Sequence, residues 1–308
     1  MTLVVSAKNL LALLAVALVA SCAAASRPAA PPPTSPGREP LAQVELQPYR
    51  TRLRTITARV GGVTGTFLLD TASGLSIVTP AFARQIGCEP WGRISGFRMT
   101  GERLDSPRCD GIAFEVAGVT LTAPVAAVVD LMSLLPAGAA PLDGIIALDV
   151  FAGRAVTLDV ARNRLWLESP GSLTARTSGM RAVDAVRIAR EVQGAAVSVN
   201  VPVTTPRGTA WFELDSGNGG TILVGKHIAA LLGLDDKATA PQPARFDLSG
   251  GAARIEGDVF VPDMIIDGNL GMPFLSRWVI TIDLGHSRLW IAPAAWAPAG
   301  DGTLRHHG

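Results

Sequence analysis

The chain has 308 residues, of which 48% are hydrophobic, and a formal net charge of +1. Its length accommodates two units of ordinary domain size, and its apolar share can fill a core in each. The balanced charge, with no basic stripe carrying interleaved aromatics, excludes nucleic acid as a partner, and no charged tail offers an electrostatic one.

In chain order, Lys8 stands ahead of an apolar stretch over residues 10–20, the layout of a secretory signal. The stretch falls short of the roughly 20 residues that cross a bilayer. It ends in Val19-Ala20-Ser21-Cys22, which resembles a bacterial lipobox, whose Cys takes lipid on its sulfur and becomes the new N-terminus. Residues 1–21 are expected to be a signal peptide and Cys22 the lipidation site; a plain cleaved signal with an incidental Cys is the alternative. Ala23, not Asp, follows the Cys. The expected location is therefore the cell envelope, anchored by lipid at the outer membrane and facing the periplasm. Residues 22–40 are rich in Ala and Pro, with Pro31, Pro32 and Pro33 in a row, and read as a semi-extended tether.

Next comes a duplication. Thr55-Ile56-Thr57-Ala58-Arg59-Val60, Gly61-Gly62 and Val63-Thr64-Gly65-Thr66-Phe67-Leu68-Leu69 read as a hairpin that ends on Asp70. Residues 197–203, a Thr205-Pro206-Arg207-Gly208 turn and residues 209–214 read as a second one that ends on Asp215. Asp70-Thr71-Ala72-Ser73-Gly74 matches Asp215-Ser216-Gly217-Asn218-Gly219, and a short helix is expected after each. Thr79 caps the first, with Pro80 at its opening and Gly87 as its stop; the second runs through His227 and Ala229 to Gly233. Asp143-Gly144-Ile145-Ile146-Ala147 then matches Asp267-Gly268-Asn269-Leu270-Gly271. The paired strands around Asp159 and Arg164 match those around Asp283 and Arg288.

The motif aspartates are 145 residues apart (215 minus 70) and the closing ones 124 (283 minus 159), so the first half carries about 21 extra residues. That insertion lies at or near Cys88 and Cys109 and is expected at the mouth of a cleft. The two cysteines leave two readings open: a disulfide in an oxidising compartment, worth about 3 kcal/mol, or two buried thiols too far apart to bond.

A paired Asp-Thr/Ser-Gly turn, each followed by an apolar-apolar-Gly strand in the same half, resembles the signature of pepsin-like and retropepsin-like aspartic peptidases. The resemblance covers residues 53–291. It implies a mainly β, bilobal acid-protease fold with two pseudo-symmetric, β-barrel-like lobes, residues 41–168 and 169–296, followed by a flexible tail over 297–308. It also implies that Asp70 and Asp215 are catalytic, that Thr71 and Ser216 brace the two turns, and that the amides of Ala72 and Gly217 hold the carboxylates. Two like acids face to face share one proton and so offer base and acid together, which metal-free amide hydrolysis needs. The expected activity is endopeptidase cleavage of an extended peptide lying between the lobes of a monomer.

Departures from the family pattern are Ala72 and Ala147, where the family has Gly, and the position of the single tyrosine, Tyr49, outside any flap. Phe97 or Met99 is the candidate flap tip. The rival expectation is a peptide-binding or scaffolding lipoprotein that kept the fold without turnover. Asp143, Asp159, Asp267 and Asp283 read as turn residues, and His227 as structural. No Gly-x-Ser-x-Gly elbow, His-Glu-x-x-His or Cys-x-x-Cys occurs, so no metal and no cofactor is expected.

Overall fold

The computed structural model describes residues 37–296. The signal segment, Cys22, most of the tether and the 297–308 tail lie outside the described residues. Among those described, the first half forms β1 (Ala42–Glu45), β2 (Gln47–Tyr49), β3 (Leu53–Val60), β4 (Val63–Leu69), β5 (Ile77–Val78) and α1 (Pro80–Gln85). It continues through β6 (Trp91–Phe97), β7 (Arg103–Val116), β8 (Val119–Val128), β9 (Gly144–Ile146), β10 (Ala155–Asp159) and β11 (Arg164–Glu168). After the linking helix α2 (Pro170–Thr177), the second half forms β12 (Arg181–Ala182), β13 (Arg187–Glu191), β14 (Ala196–Thr205), β15 (Gly208–Leu214), β16 (Ile222–Val224) and α3 (Lys226–Ala229). It ends with β17 (Gln242–Asp247), β18 (Arg254–Phe260), β19 (Gly268–Leu270), α4 (Met272–Leu275), β20 (Trp278–Asp283) and β21 (Arg288–Pro293).

These strands make three sheets, and the order of strands carries the duplication. The first half's sheet runs β2-β3-β4-β9-β5-β8-β7-β6, and the second half's runs β13-β14-β15-β19-β16-β18-β17. Strand for strand the two agree, except that the first carries one more, β6. The third sheet, β1-β11-β10-β20-β21-β12, reads the same from either end, because each half supplies three equivalent strands. The fold is bilobal and pseudo-symmetric.

Local chemistry explains the elements. In β3, Ile56, Ala58 and Val60 are buried while the residues between them, Thr57 and Arg59, are exposed, the alternation of a half-buried strand. Gly61 and Gly62 both take positive φ, 55° and 86°, as a two-residue turn whose twist suits a hairpin requires. Thr79 caps α1 through its hydroxyl, which accepts from the Phe82 amide, with Pro80 opening the helix. Gly233, at φ 74°, closes the turn that continues α3.

The inner face of each aspartate-bearing strand anchors its lobe. Phe67 meets Phe82 and Phe114 edge-on, both with ring centroids 5.2 Å apart. Its duplicate Phe212 meets Phe246 at 5.6 Å. Such pairs add about 0.5–1.5 kcal/mol each beyond burial of their area. Cys88 and Cys109 are joined as a disulfide, with Cα atoms 6.3 Å apart, which pins the end of α1 to β7. The extra residues of the first half are the β6–β7 hairpin. Its tip reaches the other lobe, where the Ile265 amide donates to the Met99 carbonyl at 2.9 Å, while Phe97 stays exposed.

Candidate active site

Each motif aspartate leaves the end of a strand that pairs in parallel with the apolar strand expected behind it: β4 with β9, and β15 with β19. The Asp70 amide donates to the Ile146 carbonyl and the Asp215 amide to the Leu270 carbonyl, both at 3.1 Å. Asp143 and Asp267, at the head of these inner strands, are more than turn formers. Their carboxylates accept from the Thr66 and Trp211 amides, each at 2.8 Å, and so tie the inner strand to the neighbouring hairpin. His227 bonds Asp267 at 2.9 Å. Asp159 and Asp283 accept from amides within their own turns and from Arg162 and Arg288.

The two turns interlock across the pseudo-two-fold axis. Thr71 Oγ1 donates to the Leu214 carbonyl at 2.7 Å and accepts from the Ser216 amide at 3.0 Å. Ser216 Oγ donates to the Leu69 carbonyl at 2.8 Å and accepts from the Thr71 amide at 3.1 Å. Both side chains are buried. This reciprocal lattice makes the geometry of one turn depend on the other and brings the Asp70 and Asp215 carboxyls face to face.

The surroundings of the two carboxyls differ. Asp70 Oδ1 accepts from the Ala72 amide at 3.0 Å. Asp215 Oδ1 accepts from Gly217 at 2.8 Å and Asn218 at 2.9 Å, and its Oδ2 from Asn269 Nδ2 at 2.6 Å. Burial, then the facing Asp215 charge, push the Asp70 carboxyl up to about 7. Burial raises Asp215 too, but Asn269 first, then Asn218 and Gly217, oppose it by bonding the charged form.

A third acid stands on the same strand. Burial, and then the negative charges of Asp215 and Asp70, push Glu213 up to about 8. Glu213 pairs in register with Asn269. The duplicate of Glu213 is Leu68 (213 minus 145) and that of Asn269 is Ile145 (269 minus 124), both in an apolar cluster with Tyr49, Leu131 and Leu142. Sequence comparison aligned Asn269 with Ile145 without giving it a role; the break in an otherwise apolar motif was the available signal. Asp149 gave no such signal. It is buried behind the Asp70 turn, accepts from both the amide and the hydroxyl of Ser76, and burial pushes it up to about 6.

The glycine departures have a steric explanation. A methyl on Gly271 would lie 2.6–2.7 Å from the Asn218 carbonyl and side chain, so that half requires Gly. At the equivalent place in the first half Ser73 replaces Asn218, and its carbonyl accepts from the Leu75 amide, whereas that of Asn218 accepts from the Met272 amide; on this different backbone path Ala147 fits. A methyl on Gly217 would overlap the Asp70 carboxyl, yet its duplicate Ala72 carries one. The Asp215 carboxyl therefore cannot stand over Ala72 as Asp70 stands over Gly217. Among the described residues, no group of three or more His, Cys, Asp and Glu side chains could hold a metal ion.

Residues 56–150, the first of the two repeats, match the family model described as aspartyl protease. Two solved structures share the fold over most of the chain. Basic 7S globulin from soybean is 10% identical at a TM-score of 0.53, covering 82% of this chain and 94% of that one. Conglutin gamma, a basic 7S globulin from lupine seeds, is also 10% identical at 0.53, covering 83% and 95%. No curated protein sequence matches the chain. The fold is the bilobal, pepsin-like one.

Proposed function

We propose that this chain is an aspartic endopeptidase that uses Asp70 and Asp215 as one proton-sharing unit. The observation that carries the reading is the pair of carboxyls, one from each lobe, held face to face by the reciprocal Thr71–Ser216 bonds. Placing two like acids together costs stability through their repulsion, which a merely structural turn would avoid.

The step follows from the protonation pattern. Asp215, bonded in its charged form, takes a proton from a water seated between the carboxyls while Asp70 gives its proton to the carbonyl oxygen of the scissile amide. The water oxygen bonds to the carbonyl carbon, giving a neutral tetrahedral diol. Asp215 then returns its proton to the amide nitrogen as the C–N bond breaks, Asp70 recovers one from a hydroxyl of the diol, and the pair is restored. The substrate is an extended peptide across the interlobe cleft of a monomer. As an exported lipoprotein it would work while tethered through lipid on Cys22, so Cys22→Ser should move the protein from the membrane fraction to the soluble one.

The test is peptide-library cleavage beside thermal melts. Asp70→Asn and Asp215→Asn should each abolish cleavage while the protein stays folded, and the double variant should be no worse than either alone. Undiminished cleavage in either single variant, or a folded wild type that cleaves nothing from acid to neutral pH, overturns the reading.

A further inference from the structure

The duplication supplies an internal control for the two aspartates. Asp215 accepts three hydrogen bonds, and the one on Oδ2 comes from a side chain, Asn269, that is fully buried. The duplicate position holds Ile145, which cannot donate, so Asp70 lacks this bond. The Asn269 amide is itself oriented: its Oδ1 accepts from Asn218 Nδ2 at 2.8 Å, and Asn218 Nδ2 also donates to the Thr221 carbonyl at 2.8 Å. A flipped Asn269 would set its oxygen against the Asp215 carboxylate and its NH2 against that of Asn218, so only one orientation satisfies both neighbours. The methyl of Ala72 is the second asymmetry. It denies Asp215 the place that Asp70 occupies over Gly217, and the Asn269 bond holds the carboxyl in the place that remains.

We infer that Asn269 is a positioning residue that assigns the charge within the pair, making Asp215 the ionised, proton-accepting member and leaving the shared proton on Asp70. A donor to one carboxylate alone stabilises that carboxylate's charged form and breaks the near-degeneracy that two-fold symmetry would impose. The charged and titratable groups around Asp215 work differently. Asp70 faces it across the axis, Glu213 lies two residues earlier on β15, and Glu191 acts on Glu213 from β13. All three are acids, and a negative charge on any of them disfavours one on Asp215; only Asp70, in its protonated form, acts with Asn269 to favour it. Arg52 reaches the same loop, but its guanidinium is engaged by the carbonyls of Gly219 and Gly220.

The consequence for catalysis rests on the peptidase reading, but the order of ionisation is a property of the resting protein and is tested there. The full chain is labelled with aspartate carrying 13C at the carboxyl, and the resonances of Asp70 and Asp215, assigned with the Asp→Asn variants, are followed against pH. In the wild type the first step should appear at Asp215 and the later one at Asp70. Asn269→Ile, the residue type of the first half, should raise the first step by about one pH unit, a tenfold change in that equilibrium. The acid limb of kcat/KM should move by the same amount with KM little changed. Asn218→Ser keeps the backbone donor to Asp215 and frees the Asn269 amide, while also giving up the bonds to the Thr221 carbonyl and the Gly220 amide, so it should give a smaller shift of the same sign, and it serves should Asn269→Ile fail to fold. An unmoved first step in a folded variant, or a first step at Asp70 in the wild type, overturns the assignment. Absence of cleavage alongside the expected titration would count against the peptidase reading only.

Discussion

Thr157 and Thr281 face each other at the centre of the antiparallel β10–β20 ladder, their hydroxyl oxygens 2.8 Å apart, and each is the other's duplicate, 124 residues away (281 minus 157). The pseudo-two-fold axis passes between them as it passes between Thr71 and Ser216. Thr157 donates to the buried Glu168, which also accepts from Arg176 and Ser172, so Thr281 is the donor in the Thr157–Thr281 contact. Thr157→Val removes one of the two donors to a buried carboxylate oxygen and leaves the Thr281 hydroxyl without its partner, and should cost about 1–3 kcal/mol in denaturant unfolding. Thr281→Val, which removes a donor to the Thr157 hydroxyl and a weak contact with the Met180 sulfur but none to a charged group, should cost less. Equal losses would contradict this direction of bonding.

The brace across the motif turns is expected to be cooperative. Thr71→Val leaves the Leu214 carbonyl and the Ser216 amide without their side-chain partner, and Ser216→Ala does the same to Leu69 and Thr71. Each should destabilise by about 1–3 kcal/mol. The double variant should lose less than the sum, because both break one lattice. Additive losses in a double-mutant cycle would show the four bonds to be independent.

The pH dependence of stability should run opposite to that of most proteins. Asp149, Asp70 and Glu213 are pushed up to about 6, 7 and 8, burial being the first cause for each. Each folded-state pKa lies above its unfolded value near 4, so between about pH 4 and 8 the folded chain holds protons that the unfolded chain has lost. Stability from these groups is full below that window and falls as pH rises through it. Tm should be higher at about pH 5 than at pH 8. Glu213→Gln should flatten the upper part of the curve and gain roughly 1–2 kcal/mol near pH 8. A Tm that climbs steadily from pH 5 to 8 would refute it.

The Cys88–Cys109 bridge closes a loop with a sequence separation of 21 and ties the segment after α1 to β7. Its reduction should cost about 3 kcal/mol. Unfolding in the presence and absence of reductant measures this, and peptide mapping of unreduced protein checks the link. Freely alkylated cysteines in native material would exclude it.

Much of this was legible in the sequence because duplication prints each element twice. The hairpins before Asp70 and Asp215, the capped helix at Thr79 and the Gly-led inner strands lie where residue pattern places them. Sequence reading missed what depends on packing between distant segments. The residues of β1 and β12 carry no periodicity strong enough to place them at the two edges of a sheet shared by both halves. Asn269 and Glu213 were hidden because an alternating strand does not reveal which side faces the axis. Asp149 lies next to apolar neighbours in a short 3-10 turn, and what distinguishes it from a surface acid, its burial and its bonds from the Ser76 amide and hydroxyl, arises only on folding.

The exchange of Gly271 and Asn218 for Ala147 and Ser73 between the halves bears on how the copies could have drifted apart. From the second-half arrangement, a methyl on Gly271 collides first with the Asn218 backbone carbonyl, which accepts from the Met272 amide and stays whatever side chain 218 carries, and shrinking Asn218 also abandons the amide that orients Asn269. Neither single step is neutral, although the double replacement is realised a hundred-odd residues away in the same polypeptide. The two solutions are thus separated by a change of backbone path as well as of side chains, and a sequence comparison that scores the four positions independently would overrate how readily one half can adopt the other's residues.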